Sequence, residues 1–207
     1  MSPIFYFLLA LTAFLATRAD AGGAVRDSDG DIISGGSYYV KTVFLSEGGG
    51  GLSLTPSSDS PCPLYIGQEW SRLDWGIPVN FSNWKSRVGF VPESENLNIE
   101  MDVKATVCVK STYWWLSADK GSKTWLEAGP KPDKPGQDSF FQIKKANGGI
   151  LRGYNIAFCP NDSDCVDVSV YLERTTGWRL GLGPIPIEVE FVKATRTETL
   201  SKTMSII

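Results

Sequence analysis

The chain has 207 residues, 42% of them hydrophobic, with 20 basic and 23 acidic side chains and a formal net charge of −3. Both signs are interspersed and no basic stripe stands out, which argues against a nucleic-acid partner. There is no histidine. That removes the imidazole general base, the Ser-His-Asp and Cys-His nucleophiles and every histidine metal ligand, so neither an enzyme nor a cofactor is expected.

The first element in chain order is a targeting signal. Ile4 to Ala16 is an almost unbroken apolar run, short for a membrane span, and it leads to Ala19-Asp20-Ala21, a small-x-small cleavage pattern. Residues 1–21 are read as a signal peptide, which sends the mature chain into the secretory pathway, to an extracellular or vacuolar destination. No later apolar run approaches membrane length, so no membrane contact is expected of the mature form. The cluster Asp27, Asp29 and Asp31 around Gly30 departs from the spacing of a calcium loop and reads as a turn.

Strand signals follow. Ser37 to Leu45 is β-branched and aromatic, and after the glycine run Gly48–Gly51 comes Leu52 to Leu54. Leu97 to Val103 alternates apolar and polar, Val107 to Val109 continues that region, and Tyr113 to Leu116 is an apolar run. Further strands are expected at Phe140–Ile143, Tyr154–Phe158, Val166–Leu172, Arg179–Leu182 and Ile187–Val192. Glycine, proline, aspartate and serine clusters separate them, and no window carries a helical period with caps. The carboxylates Glu93 and Glu95, and Glu188 and Glu190, alternate along such segments and need only solvent. About a dozen short strands mean a barrel, a sandwich or a trefoil. A faint period of roughly sixty residues favours a threefold arrangement. Residues 22–194 are taken as one domain, and Thr195 to Ile207 as a flexible tail open to trimming.

Four cysteines remain: Cys62, Cys108, Cys159 and Cys165. After a secretory signal an even number reads as disulfides, with three possible connectivities. Cys159 and Cys165 flank the turn-rich Pro160-Asn161-Asp162-Ser163-Asp164, so a local pair is favoured, leaving Cys62 to Cys108. Zinc is not expected, because paired Cys-x-x-Cys elements are missing. Asn80-Phe81-Ser82 and Asn161-Asp162-Ser163 are glycosylation sequons, expected on surface loops.

One segment stands apart. Trp84-Lys85-Ser86-Arg87-Val88-Gly89-Phe90 carries two cations and a large aromatic between strand-like stretches. In a chain without histidine it makes poor catalytic machinery and good bait for a protease that cleaves after a basic residue.

Several motifs together resemble the plant Kunitz-type (soybean trypsin inhibitor) family. They are Val25-Arg26-Asp27-Ser28-Asp29-Gly30-Asp31 with Gly35-Gly36-Ser37-Tyr38-Tyr39-Val40, then Cys62-Pro63-Leu64, then Leu97-Asn98-Ile99 leading to Cys108. Tyr154-Asn155-Ile156-Ala157-Phe158-Cys159-Pro160 with Cys165, Arg179-Leu180 and Ile187 to Phe191 complete the ordered set. The resemblance implies an all-β, twelve-stranded β-trefoil with pseudo-threefold symmetry and the disulfides Cys62–Cys108 and Cys159–Cys165. It also implies inhibition of a trypsin-like serine protease through an exposed loop, with reactive bond Arg87-Val88 and Lys85-Ser86 as the rival. Ser34 takes the position of the asparagine that braces this loop in the family. A monomer serving as a plant defence or seed protein is expected. The alternative is a non-inhibitory storage or carbohydrate-binding protein on the same scaffold.

Overall fold

A computed structural model describes residues 23–43, 49–86, 88–103, 106–117, 123–133, 137–146, 153–161 and 164–194. The segment expected to be a signal peptide, the tail expected from Thr195 onward, Arg87 and the sequon residues Asp162 and Ser163 lie outside these residues.

Twelve strands run in chain order: β1 (Tyr38–Thr42), β2 (Leu52–Pro56), β3 (Leu64–Gln68), β4 (Val79–Ser82), β5 (Asn98–Met101) and β6 (Tyr113–Leu116), then β7 (Leu126–Gly129), β8 (Phe141–Lys145), β9 (Tyr154–Phe158), β10 (Val166–Glu173), β11 (Gly177–Leu182) and β12 (Glu188–Lys193). A 3-10 turn at Gln137–Ser139 is the one helical element among the described residues.

Pairing divides the strands into two sets. β1 lies between β12 and β4, β4 pairs with β5, β8 with β9, and β9 with β12, all antiparallel. A bridge between Leu97 and Phe141 joins the start of β5 to β8 and closes the ring. The other six strands form hairpins β2–β3, β6–β7 and β10–β11, linked to one another through Tyr65↔Glu127, Gln68↔Trp178 and Trp125↔Gly181. A six-stranded ring capped by three hairpins, in three successive four-strand units, is a β-trefoil. Closure leaves the ring no free sheet edge.

The core follows from the sequence. Trp114 is fully buried, edge-on to Phe141 at 5.5 Å, and its indole N–H donates to Met101 Sδ at 3.3 Å. Phe141 in turn meets Phe158 at 5.8 Å, and Ile99, Ile143, Ile156, Val189 and Phe191 fill the ring. Offset and edge-on ring pairs add to the area buried. Gly51 is required by contact: a Cβ there would come within 1.7 Å of the Trp75 carbonyl.

β6 and β9 match their expected spans, and β1, β2, β5, β8, β10, β11 and β12 lie within a few residues of theirs. Val107 to Val109 is not a strand. The Thr106 hydroxyl accepts hydrogen bonds from the Cys108 and Val109 amides, at 3.2 and 3.1 Å, and turns the chain there, leaving Val107 exposed. Glu188 does not face solvent as expected; it is buried, with Oε1 unpartnered. Asp27 makes the expected turn, its Oδ1 accepting from the Asp29 and Asp31 amides at 3.1 and 2.9 Å.

Cys62, between β2 and β3, is bonded to Cys108, between β5 and β6. Cys159 and Cys165 are bonded across the β9–β10 connection.

Candidate functional site

The basic segment occupies the connection between β4 and β5. These strands pair from Val79↔Met101 to Ser82↔Asn98, so the connection leaves the ring at one fixed point. Asn83 turns the chain out of β4 with φ of +64°, a left-handed conformation that asparagine tolerates better than most residues. Its side-chain Nδ2 donates to Asn98 Oδ1 at 2.7 Å. Asn98 is buried, and its own Nδ2 donates to the Ser139 carbonyl at 2.7 Å. A short polar chain thus ties the start of the loop to the turn ahead of β8.

Within the loop, the half-buried Trp84 packs against the core and its indole N–H donates to the Val88 carbonyl at 3.1 Å. The ring closes the segment into a compact bend. Lys85, Val88 and Gly89 are exposed, whereas Ser86 and Phe90 are half-buried. The Ser86 backbone N–H donates to the Glu95 carboxylate, reaching across from the returning leg. Arg87 lies outside the described residues.

The returning leg is tied down by backbone. Val91 N–H donates to the Ile33 carbonyl at 2.8 Å, and the Val91 carbonyl accepts from Val25 N–H at 2.9 Å. Glu93 N–H donates to the Gly23 carbonyl at 2.7 Å and Ser94 N–H to the Ile143 carbonyl at 2.9 Å. Val25, Ile33, Val91 and Leu97 are buried under these contacts. Asn96 adds side-chain bonds at the base: its Nδ2 donates to the Cys159 carbonyl at 3.3 Å, and its Oδ1 accepts from Gln142 Nε2 at 2.8 Å.

Charge at the loop base is set by burial. Glu100 on β5 has its carboxyl pushed up, first by desolvation, although its hydrogen bond to Tyr113 pulls the other way. The Tyr113 hydroxyl is pushed up as well, by burial and then by the Glu100 charge.

Ser34 follows Ile33, whose carbonyl accepts from Val91, but it is exposed, and no hydrogen bond from its hydroxyl occurs among the described residues. The contacts that do brace the loop come from Asn83, Glu95, Asn96 and Asn98. Glu95 was expected to need only solvent; Glu93 to Glu95 is instead a turn. Asparagines at positions 83, 96 and 98 flank the basic segment in the sequence, but nothing there marks Glu95 or assigns the partners. The sequons differ from each other. Asn161 is exposed, whereas Asn80 sits inside paired β4 rather than on a loop, its Oδ1 accepting from the Ser37 hydroxyl at 3.0 Å.

The arrangement can present the exposed Lys85 and Val88 to another protein from a hydrogen-bonded base. Among the described residues no group of three or more carboxylates and cysteines is placed to hold a metal ion.

Comparison with known proteins gives a consistent answer. The family described as trypsin and protease inhibitor, of the Kunitz legume type, matches residues 25–193. Kunitz trypsin inhibitor 4 from Arabidopsis thaliana is 46% identical over 214 residues, covering 99% of this chain and 97% of that one. A 21 kDa seed protein from Theobroma cacao is 33% identical over 211 residues, covering 95% and 94%. A chain from the complex of porcine pancreatic trypsin with soybean trypsin inhibitor superposes with a TM-score of 0.69 at 25% identity, covering 84% of this chain and 100% of that chain. The chain belongs to the Kunitz legume family of trypsin and protease inhibitors, which are not enzymes.

Proposed function

We propose that this protein inhibits a trypsin-like serine protease by presenting residues 84–90 as a substrate that is bound well and turned over slowly. The observation that carries this reading is the bracing of a basic segment at three points: Asn83 on Asn98, Trp84 on Val88, and Ser86 on Glu95. A loop already ordered loses little conformational entropy on binding, so more of the contact energy becomes affinity.

The reactive bond is Arg87-Val88. A guanidinium entering a specificity pocket with a carboxylate at its base forms a charge-assisted, two-pronged contact. The protease serine oxygen adds to the Arg87 carbonyl carbon. The bond to the Val88 nitrogen breaks as that nitrogen gains a proton from the protease's own acid. Because the leg from Val91 onward is bonded to Ile33, Val25 and Gly23, the new amine stays beside the acyl group. Religation then competes with attack by water. The reading extends to a secreted or vacuolar location, set by the signal segment at residues 1–21.

One observation favours Lys85-Ser86 as a second choice of bond. The leaving nitrogen of that bond is Ser86 N, and it already donates to the Glu95 carboxylate. Titration of trypsin with the wild-type protein, Arg87→Ala and Lys85→Ala decides between them. Stoichiometric inhibition by wild type and Lys85→Ala, lost in Arg87→Ala, is the expected result. A cleaved form whose new N-terminus is Val88 agrees with it; one beginning at Ser86 selects the other bond. Absence of inhibition by wild type at micromolar concentration overturns the inhibitory reading.

A further inference from the structure

The structure assigns Glu95 as the residue that positions the loop for inhibition, a role that rests on the inhibitory reading above. Three observations converge on it. The Glu95 carboxylate accepts from the Ser86 amide, a side-chain hydrogen bond that crosses from the returning leg to the exposed leg of the loop. Glu95 is itself held, because Ser94 before it donates its N–H to the Ile143 carbonyl at 2.9 Å and Asn96 after it is bonded to Gln142 and Cys159. Ser94 also adopts a left-handed φ of +58°, which aims the chain at this point. The carboxylate therefore sits on a fixed base formed by β8 and the end of β9.

The contact is to backbone, so it acts on the path of the main chain and leaves the exposed side chains free to meet a protease. It holds the N–H of Ser86, the residue before Arg87 in the sequence. A protease subsite reads the backbone on that acyl side as an extended strand, and a residue fixed there cannot relax away after the acyl bond has formed. Glu95 braces the loop from the returning leg, on the side away from Ser34 and the residues before β1. Glu95 touches neither the attacked carbonyl nor the leaving amine of Arg87-Val88 and is a positioning residue.

The test compares wild type with Glu95→Ala, Glu95→Gln and the neighbouring Glu93→Gln. Each is measured for its inhibition constant against trypsin, for the rate at which trypsin cuts the loop at catalytic enzyme concentration, and for thermal unfolding. A hydrogen bond to a charged acceptor implies that Glu95→Ala weakens inhibition and speeds cleavage about ten- to a hundredfold. Glu95→Gln, which keeps an acceptor oxygen, recovers most of the loss, and Glu93→Gln behaves as wild type. The unfolding midpoint stays close to wild type in all three, which separates a local brace from a fold defect. Wild-type inhibition and cleavage rates in Glu95→Ala overturn the assignment. The cleavage rate tests the brace even if no variant inhibits: failure of wild type to inhibit overturns the proposed function, while equal cutting of wild type and Glu95→Ala overturns the role of Glu95.

Discussion

Asn98 shows how much one buried amide does for this loop. It is 1% exposed, accepts from Asn83 on one side and donates to the Ser139 carbonyl on the other. Replacing it with alanine removes these bonds together with a longer one from its Nδ2 to the Ser139 hydroxyl at 3.3 Å. Urea unfolding of Asn98→Ala should show a loss of about 2 kcal/mol. Legibility in the sequence was poorest at this scale. The basic residues Lys85 and Arg87 could be picked out by type and place. Glu95 and Asn98 could not, because their roles depend on which residue the hairpin register sets opposite them. Ser86 meets a carboxylate nine positions away and Asn83 an amide fifteen positions away, and neither separation is a local motif.

Strands whose apolar and polar residues alternate along the sequence were readable, whereas β3, β4 and β7 were not. β5 and β10 alternate apolar and polar side chains along the sequence, and period two revealed them. β3 is half-buried at Leu64 and then buried at four consecutive positions, since it lies between β2, β7 and β11. A strand covered on both faces loses the alternation that marks it. β7 is short and ends in Gly129, whose missing Cβ makes room for the Trp115 ring. β7 also carries a carboxyl with a pH signature. Desolvation raises the pKa of Glu127, so its ionisation is harder in the folded than in the unfolded chain. The folded state then holds the proton more tightly, and stability falls as pH rises from the unfolded value through the folded one. Glu127→Gln should raise the unfolding midpoint at pH 7, modestly because the group is half-exposed, and the gain should vanish near about pH 3, where the carboxyl is neutral in both folded and unfolded chains. Thermal melts across that range test the sign.

At the scale of the molecule, threefold β architecture was legible from strand count and spacing, while ring closure was not. Closure depends on Leu97 meeting Phe141 and β1 meeting β12, contacts between distant parts of the chain. The long disulfide acts at this scale too. Cys62 and Cys108 are 46 residues apart, and in the chain-entropy account their link stabilises by about 4 kcal/mol. The double variant Cys62→Ser, Cys108→Ser should lose about that much by denaturant titration while retaining the strands. The same bond has another consequence. Its two ends lie on either side of residues 84–90, so every peptide bond a protease could cut in that loop falls inside a covalent ring. A cut protein remains one molecule: it keeps its full mass without reductant and separates into two pieces only with it. Cleavage opens the loop without releasing either end, and rejoining stays a reaction within one molecule, independent of dilution.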